Sequence, residues 1–198
     1  MLASKISLPF YGWYKNIVEK DLIAKLVCSN IHQVPRFNKV TLNIELNQHS
    51  GDIKSVIACL FMLEIISSQK AVYRKPRSYR KTSSCFVTLR GEKLWDFLSI
   101  LSQVVLPRMS QNTITKGAQS EVKSLHVTRL KDPRGNLTLF IKDPLIFPQF
   151  EAVGQLEGIE DYLPRHFSMS VSFTTTARNK DEKKLLLESL QIPVNCVE

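Results

Sequence analysis

Hydrophobic positions along this chain change their period from segment to segment. From Tyr11 to Val27, Trp13, Ile17, Leu22, Ile23 and Leu26 recur at roughly helical spacing. "HQVPR" ends that pattern, because Pro35 biases the chain out of helix. From Phe37 to Leu46 the period becomes two: Val40, Leu42, Ile44 and Leu46 share one face, and Lys39, Thr41, Asn43 and Glu45 the other. A helix is predicted from about Asp52, its candidate N-cap, to Ile66, with Ile53, Val56, Ile57, Leu60 and Leu63 as its stripe. A strand over Cys85 to Arg90 sets Cys85, Val87 and Leu89 against Phe86, Thr88 and Arg90. A helix from about Glu92 to Leu106 carries Leu94, Leu98, Leu101 and Val105 and ends at Pro107.

Residues Met109 to Ser124 are polar and turn-rich, which predicts a loop. "LHVTRLKDPRGNLTLFIK" reads as a hairpin turning at Asp132-Pro133-Arg134-Gly135. In "FSMSVSFTT", Phe167, Met169, Val171 and Phe173 face in, while Ser168, Ser170, Ser172 and Thr174 face out. A last helix, about Lys180 to Leu190, follows Asn179 as its cap. The order is helix, strand, helix, strand, helix, hairpin, strand, helix. That is an α+β chain with a mostly antiparallel sheet, its helices on one face and the other, polar face left open.

Charge changes the picture. The chain of 198 residues carries 27 Lys and Arg against 18 Asp and Glu, a formal net charge of +9. That excess favours a polyanionic partner, nucleic acid first, over solubility alone. Within "SSQKAVYRKPRSYRKTSS", six basic residues fall between Lys70 and Lys81, and no acid occurs from Ile65 to Gly91. Arg74, Lys75, Arg77, Arg80 and Lys81, with Tyr73 and Tyr79 interleaved and Pro76 bending the run, suit an exposed arm meeting phosphates by charge and bases by stacking. The alternative is a solvated charge run. The open face has the same two readings. Its hydroxyls, amides and cations, with Thr88 and Arg90 as a reading pair and Phe86 as a stacking surface, suit RNA. Antiparallel sheets also commonly leave such a face simply solvated.

The remaining chemistry is thin. Cys28, Cys59, Cys85 and Cys196 are scattered without a close pair, which argues against zinc and for reduced thiols in a reducing compartment. His32, His49, His126 and His166 are equally dispersed and read as structural. Neither a Gly-rich phosphate loop, nor GxSxG, nor HExxH is present. Glu160 and Asp161 are adjacent and do not converge as an acid/base pair, so neither a catalytic residue nor a cofactor is assigned. No apolar run approaches the ~20 residues of a membrane helix, so no membrane partner is expected. The N-terminus is too short and too weakly apolar for a secretory signal. A trimmed organellar import sequence and a product encoded within the organelle are both compatible with it.

The chain resembles the bacterial-type large-subunit ribosomal protein L-five family. The matching stretches are "QVPRFNKVTLN", "SSQKA", "VTLRGEKLWDFL", "VLPR", "DPRGN", "IFP" and "TTTA", in the family's order and at nearly its spacing, from about Phe10 to Val194. "VTLRGE…W" with a following "PR" and the terminal "TTTA…DE" are specific as a set. The resemblance implies no enzymatic activity. It implies an α+β fold whose open sheet face grips 5S rRNA in the central protuberance of the large subunit, near the P-site transfer RNA and the small-subunit head. The family's contact positions fall on Asn43, Gln69 with Lys70 beside it, Thr88 and Arg90. Lys39 and Thr41 share the outward face of the "TLN" strand and complete the expected 5S rRNA set.

Three departures accompany the resemblance. A long family loop reaches the P-site transfer RNA; here its counterpart, about residues 71–84, is shorter and lacks the Gly-Phe-Lys tip, with Tyr79, Arg80 and Lys81 in its place. The segment 109–131 is longer than in bacterial members and reads as an insertion meeting neighbouring ribosomal proteins or large-subunit rRNA. "NLTLF" replaces a tyrosine-bearing strand. With residues 1–9 as a short extension before a single domain over 10–198, this drift implies an organellar, mitochondrial ribosome, the alternative being another organellar or a bacterial one. In a mitochondrial ribosome lacking 5S rRNA, the same protein would serve as a protein and rRNA scaffold of the central protuberance.

Overall fold

The alternating run at Phe37–Leu46 forms a ten-residue strand, β1, whose positions Val40, Leu42, Ile44 and Leu46 are completely buried. The computed structural model describes residues 9–26, 30–46, 53–75, 83–109, 137–153 and 167–192. Among them, β2 (Val72–Arg74), β3 (Ser83–Leu89), β4 (Leu137–Ile141) and β5 (Met169–Thr175) join β1 in one antiparallel sheet ordered β2–β3–β1–β5–β4. Register carries the apolar face across the sheet. Leu42 pairs with Val87 on one side and Val171 on the other, and Val171 pairs in turn with Leu139. All four are buried, because the period of two in each strand puts the matching set on the same side.

The helices bury their apolar sides in the same core. They are α1 (Pro9–Trp13), α2 (Glu19–Leu26), α3 (Ile53–Ser67), α4 (Glu92–Ile100), α5 (Gln149–Val153) and α6 (Lys180–Ser189). This is the α+β arrangement the sequence predicts. Over the helix predicted from about Glu92 to Leu106 the stripe holds: Leu94, Leu98, Leu101 and Val105 are all buried.

Elsewhere the details differ from the sequence reading. A π-turn over Tyr14–Val18 joins α1 to α2, and the Glu19 N–H donates to the Tyr14 carbonyl. The wider turn shifts the helix phase, so Tyr14, Val18 and Leu22 are buried and Ile17 is 57% exposed. A second π-turn, Leu101–Val105, precedes Pro107, and the helix does not stop at the proline but continues through residues 106–109. Re-registering the hydrogen bonds just before it accommodates a residue that cannot donate to the ladder. Asn179 takes the N-cap position of α6, but its side chain makes no capping bond. Instead the Arg178 N–H donates to Glu182 Oε2 at 2.9 Å. The predicted cap Asp52, the loop beginning at Met109 beyond that residue, and the hairpin's first strand and turn lie outside the described residues.

The largest correction concerns α3. Ile53 and Ile57, two members of the predicted stripe, are 77% and 60% exposed, whereas Ala58, Cys59, Met62, Leu63 and Ile66 face the core. The segment is apolar nearly all round, so periodicity cannot choose a face, and packing against β3 and β1 decides it. Ile57→Gln is therefore expected to change the unfolding free energy by less than about 0.5 kcal/mol in urea titration.

Candidate nucleic-acid interface

The face of the sheet away from the core is built from the odd positions of β1 and their cross-strand neighbours. Thr41 pairs with Thr88 on β3 and with Ser172 on β5, and Ser172 pairs with Thr138 on β4. Four hydroxyls thus form one row across four strands, and Thr138 Oγ1 and Ser172 Oγ share a hydrogen bond at 3.3 Å. The adjacent row runs Phe140, Ser170, Asn43, Phe86, Val72. Within it Ser170 Oγ donates to the Asn43 carbonyl at 3.2 Å, and the Asn43 amide donates to Glu45 Oε1 at 3.5 Å. On the other side of the hydroxyl row, Lys39 stands beside Thr174.

Arg90 follows the last residue of β3 and is exposed. Gly91 comes next with φ +61, a left-handed backbone that glycine adopts without strain. This turn follows β3 and starts α4 at Glu92, immediately after Gly91.

Gln69 and Lys70 sit in a turn that both neighbouring helices hold. Ser67 Oγ donates to the Leu63 carbonyl at 2.6 Å, and the Gln69 N–H donates to Ser67 Oγ at 3.2 Å. From α4, Lys93 Nζ donates to the Ser68 carbonyl at 2.6 Å. The Ala71 N–H donates to Glu64 Oε1 at 3.1 Å. Ser68 takes φ +50, uncommon for a side-chain-bearing residue, and these four bonds hold it there. The turn delivers the chain into β2, so Gln69 and Lys70 lie at the β2 edge of the sheet, Lys70 exposed and Gln69 half-buried.

The segment read from sequence as a basic arm opens as paired strand. Val72 and Arg74 pair with Phe86 and Ser84, and the Arg74 guanidinium lies over the Phe86 ring, 4.7 Å from its centroid. This cation–π contact lays a planar cation on an aromatic face. Lys75 is exposed just beyond β2. Arg77, Tyr79, Arg80 and Lys81 lie outside the described residues, as does most of the segment 109–131.

Charge is unevenly distributed. Among the described residues the ion pairs are Lys25–Asp21, Arg36–Glu19, Arg108–Glu151 and Lys184–Glu188. None of them engages Lys39, Lys70, Arg74 or Arg90. Cys59 and Cys85 are buried in the core, where desolvation pushes their thiols up to about 12 and about 11, so both are neutral and unreactive. Burial likewise pushes the Tyr14 hydroxyl up to about 12; it donates to the Pro35 carbonyl at 3.5 Å. Among the described residues no His, Cys, Asp and Glu side chains are grouped to hold a metal, and no helix is long and apolar enough to cross a membrane. A cavity of about 560 Å³ opens between helices, lined by Phe10, Trp13, Trp95 and Asp96, and it shares no residue with the open face.

Period-two patterning marks the outward positions of each strand. It does not mark Ser172, Ser170, Thr138 or Phe140 as neighbours of Asn43 and Thr41, because that depends on which strands pair. The Arg74–Phe86 contact carries no signal that sequence could supply.

A five-stranded antiparallel sheet with helices on one side and a polar, cation-flanked face on the other defines an α+β protein suited to an anionic polymer. Residues 82–194 match the C-terminal region of the ribosomal L5 family. The chain is 32% identical over 190 residues to the large ribosomal subunit protein uL5m of Reclinomonas americana, covering 92% of this chain and 95% of that one. It is 31% identical over 191 residues to the large ribosomal subunit protein uL5 of Hamiltonella defensa, covering 92% and 96%. It is also 31% identical over 192 residues to that of Buchnera aphidicola, covering 93% and 97%. The chain belongs to the ribosomal L5 family.

Proposed function

We propose that this protein is a structural, non-enzymatic constituent of the large ribosomal subunit. In this reading it binds 5S rRNA in the central protuberance through the open face of its sheet. Lys39, Thr41, Asn43, Thr88 and Arg90 contact the RNA from the face, and Gln69 and Lys70 from the turn at its edge. The observation that carries the reading is the row of four hydroxyls in register, with cations outside any described ion pair around it. Hydroxyls reach ribose 2′-hydroxyls and base edges, while Lys and Arg hold phosphates. The basic segment that begins at Arg74 and Lys75 approaches large-subunit rRNA or the P-site transfer RNA and the small-subunit head. Neighbouring ribosomal proteins or rRNA meet the segment 109–131. The similarity to a mitochondrial relative supports a mitochondrial ribosome as its home; bacterial relatives match at a similar level, and the alternative is another organellar or a bacterial ribosome.

Crosslinking with RNA sequencing on ribosomes from the source tests this. Photo-crosslinkers at Asn43, Gln69, Thr88 and Arg90 are expected to reach 5S rRNA. Crosslinks to large-subunit rRNA alone would remove the 5S role and leave a scaffold of the central protuberance.

A further inference from the structure

We infer that the open face holds unpaired RNA bases on two separate aromatic platforms, Phe140 on one side and the Arg74–Phe86 pair on the other. This inference rests on the RNA-binding reading of that face. Phe140 lies on β4 between the buried Leu139 and Ile141, so its side chain points to the open face, where it is 46% exposed. It shares a row with Ser170, Asn43 and Phe86. Phe140 and Phe86 are three strand spacings apart, roughly 14 Å. A single base cannot touch both rings, so each takes its own.

The chemistry separates unpaired RNA from the other occupants. A continuous duplex offers phosphates and 2′-hydroxyls across its shallow groove and has no flat surface for an exposed ring. Unpaired bases have such a surface, and stacking on aromatic rings or on an arginine plane is how they are held. A protein partner would meet a contiguous apolar patch. Here the two rings are set apart by Ser170 and Asn43, with Val72 beside Phe86 as the one apolar neighbour in the row. The surrounding charge also suits a polyanion. Lys39, Arg74 and Arg90 flank the rows, and Lys142 is exposed just after β4. The acids close by are Glu45, which accepts from the Asn43 amide, and the exposed Asp143.

The experiment uses the full chain and two probes: a short single-stranded RNA carrying 2-aminopurine, and a duplex RNA of the same length. Phe140→Leu and Phe86→Leu keep apolar volume and remove the ring. The wild type is expected to prefer the single strand and to quench its fluorescence. Each variant is expected to bind the single strand about ten-fold more weakly, to quench it less, and to bind the duplex unchanged. Unaltered single-strand affinity in both variants overturns the proposal, and so does an equal loss on both probes. Arg90→Ala separates the two readings. If it weakens binding while the leucine variants do not, the stacking fails and the RNA face stands. If it too changes nothing, the RNA face itself fails.

Discussion

Replacing Leu42 by alanine is expected to lower the unfolding free energy by about 3 kcal/mol, whereas Thr41→Ala, one residue away, costs under about 1 kcal/mol. Leu42 is completely buried on the central strand, between Val87 and Val171. Truncating it removes the transfer free energy of the deleted methyl groups and leaves a cavity, because two flanking strands prevent the site from collapsing. A domain of this size is stable by only about 5–15 kcal/mol, so one truncation removes a large share. Thr41 points to the half-exposed face and loses a hydroxyl and a methyl group that are only partly buried. Urea unfolding followed by circular dichroism checks both. Equal losses at the two positions would mean that the two faces of β1 are not separated as core and surface.

The second large effect falls on RNA affinity. The double variant Lys39→Ala, Arg90→Ala is expected to bind 5S rRNA about a hundred-fold more weakly at low salt, about ten-fold for each charge-assisted hydrogen bond removed. The magnitude of the slope of log affinity against log salt is expected to fall by about 1.4 where the contacted strand is unpaired and about 1.8 where it is duplex, from the counterions that two phosphate contacts release. Neither residue has an ion pair among the described residues, so the weakening reports the RNA contact rather than a broken bridge inside the protein. A titration between low and physiological salt measures affinity and slope together. An unchanged slope with weakened affinity would place these side chains on sugars or bases instead of phosphates, and no change in either would remove them from the interface.

The strands are legible in the sequence and the helix faces less so. Alternation places Phe37–Leu46 to the residue, because it is a local signal and one face of the sheet is covered. Met169–Thr175 follows for the same reason. The stripe predicted for α3 is rotated from the face that packs, since a segment apolar on every side carries no phase of its own. The exposure of Ile17 depends on a π-turn, which is a hydrogen-bond register and leaves no clear trace in hydrophobic spacing. The start of the basic run at Val72–Arg74 is an edge strand because β3 offers it a partner. Three residues of mixed character cannot announce that alone.

The candidate site divides along the same line. That Lys39, Thr41, Asn43 and Thr88 point away from the core follows from the chain's own alternation, because side chains along a strand alternate whatever the strand pairs with. Which residues stand together does not. The row of Thr138, Ser172, Thr41 and Thr88 comes from four segments far apart in the chain, and only strand order and register bring them into line. The hold of Lys93 on the Gln69–Lys70 turn depends likewise on how α3 and α4 meet, whereas the bonds from Ser67 and Glu64 are local to the end of α3. The outward identity of each strand and the excess positive charge were legible from the chain alone, since both are properties of local order and composition. The tertiary structure decided the neighbours, because pairing between distant strands is chosen by the packing of the whole apolar face and by no single segment of it.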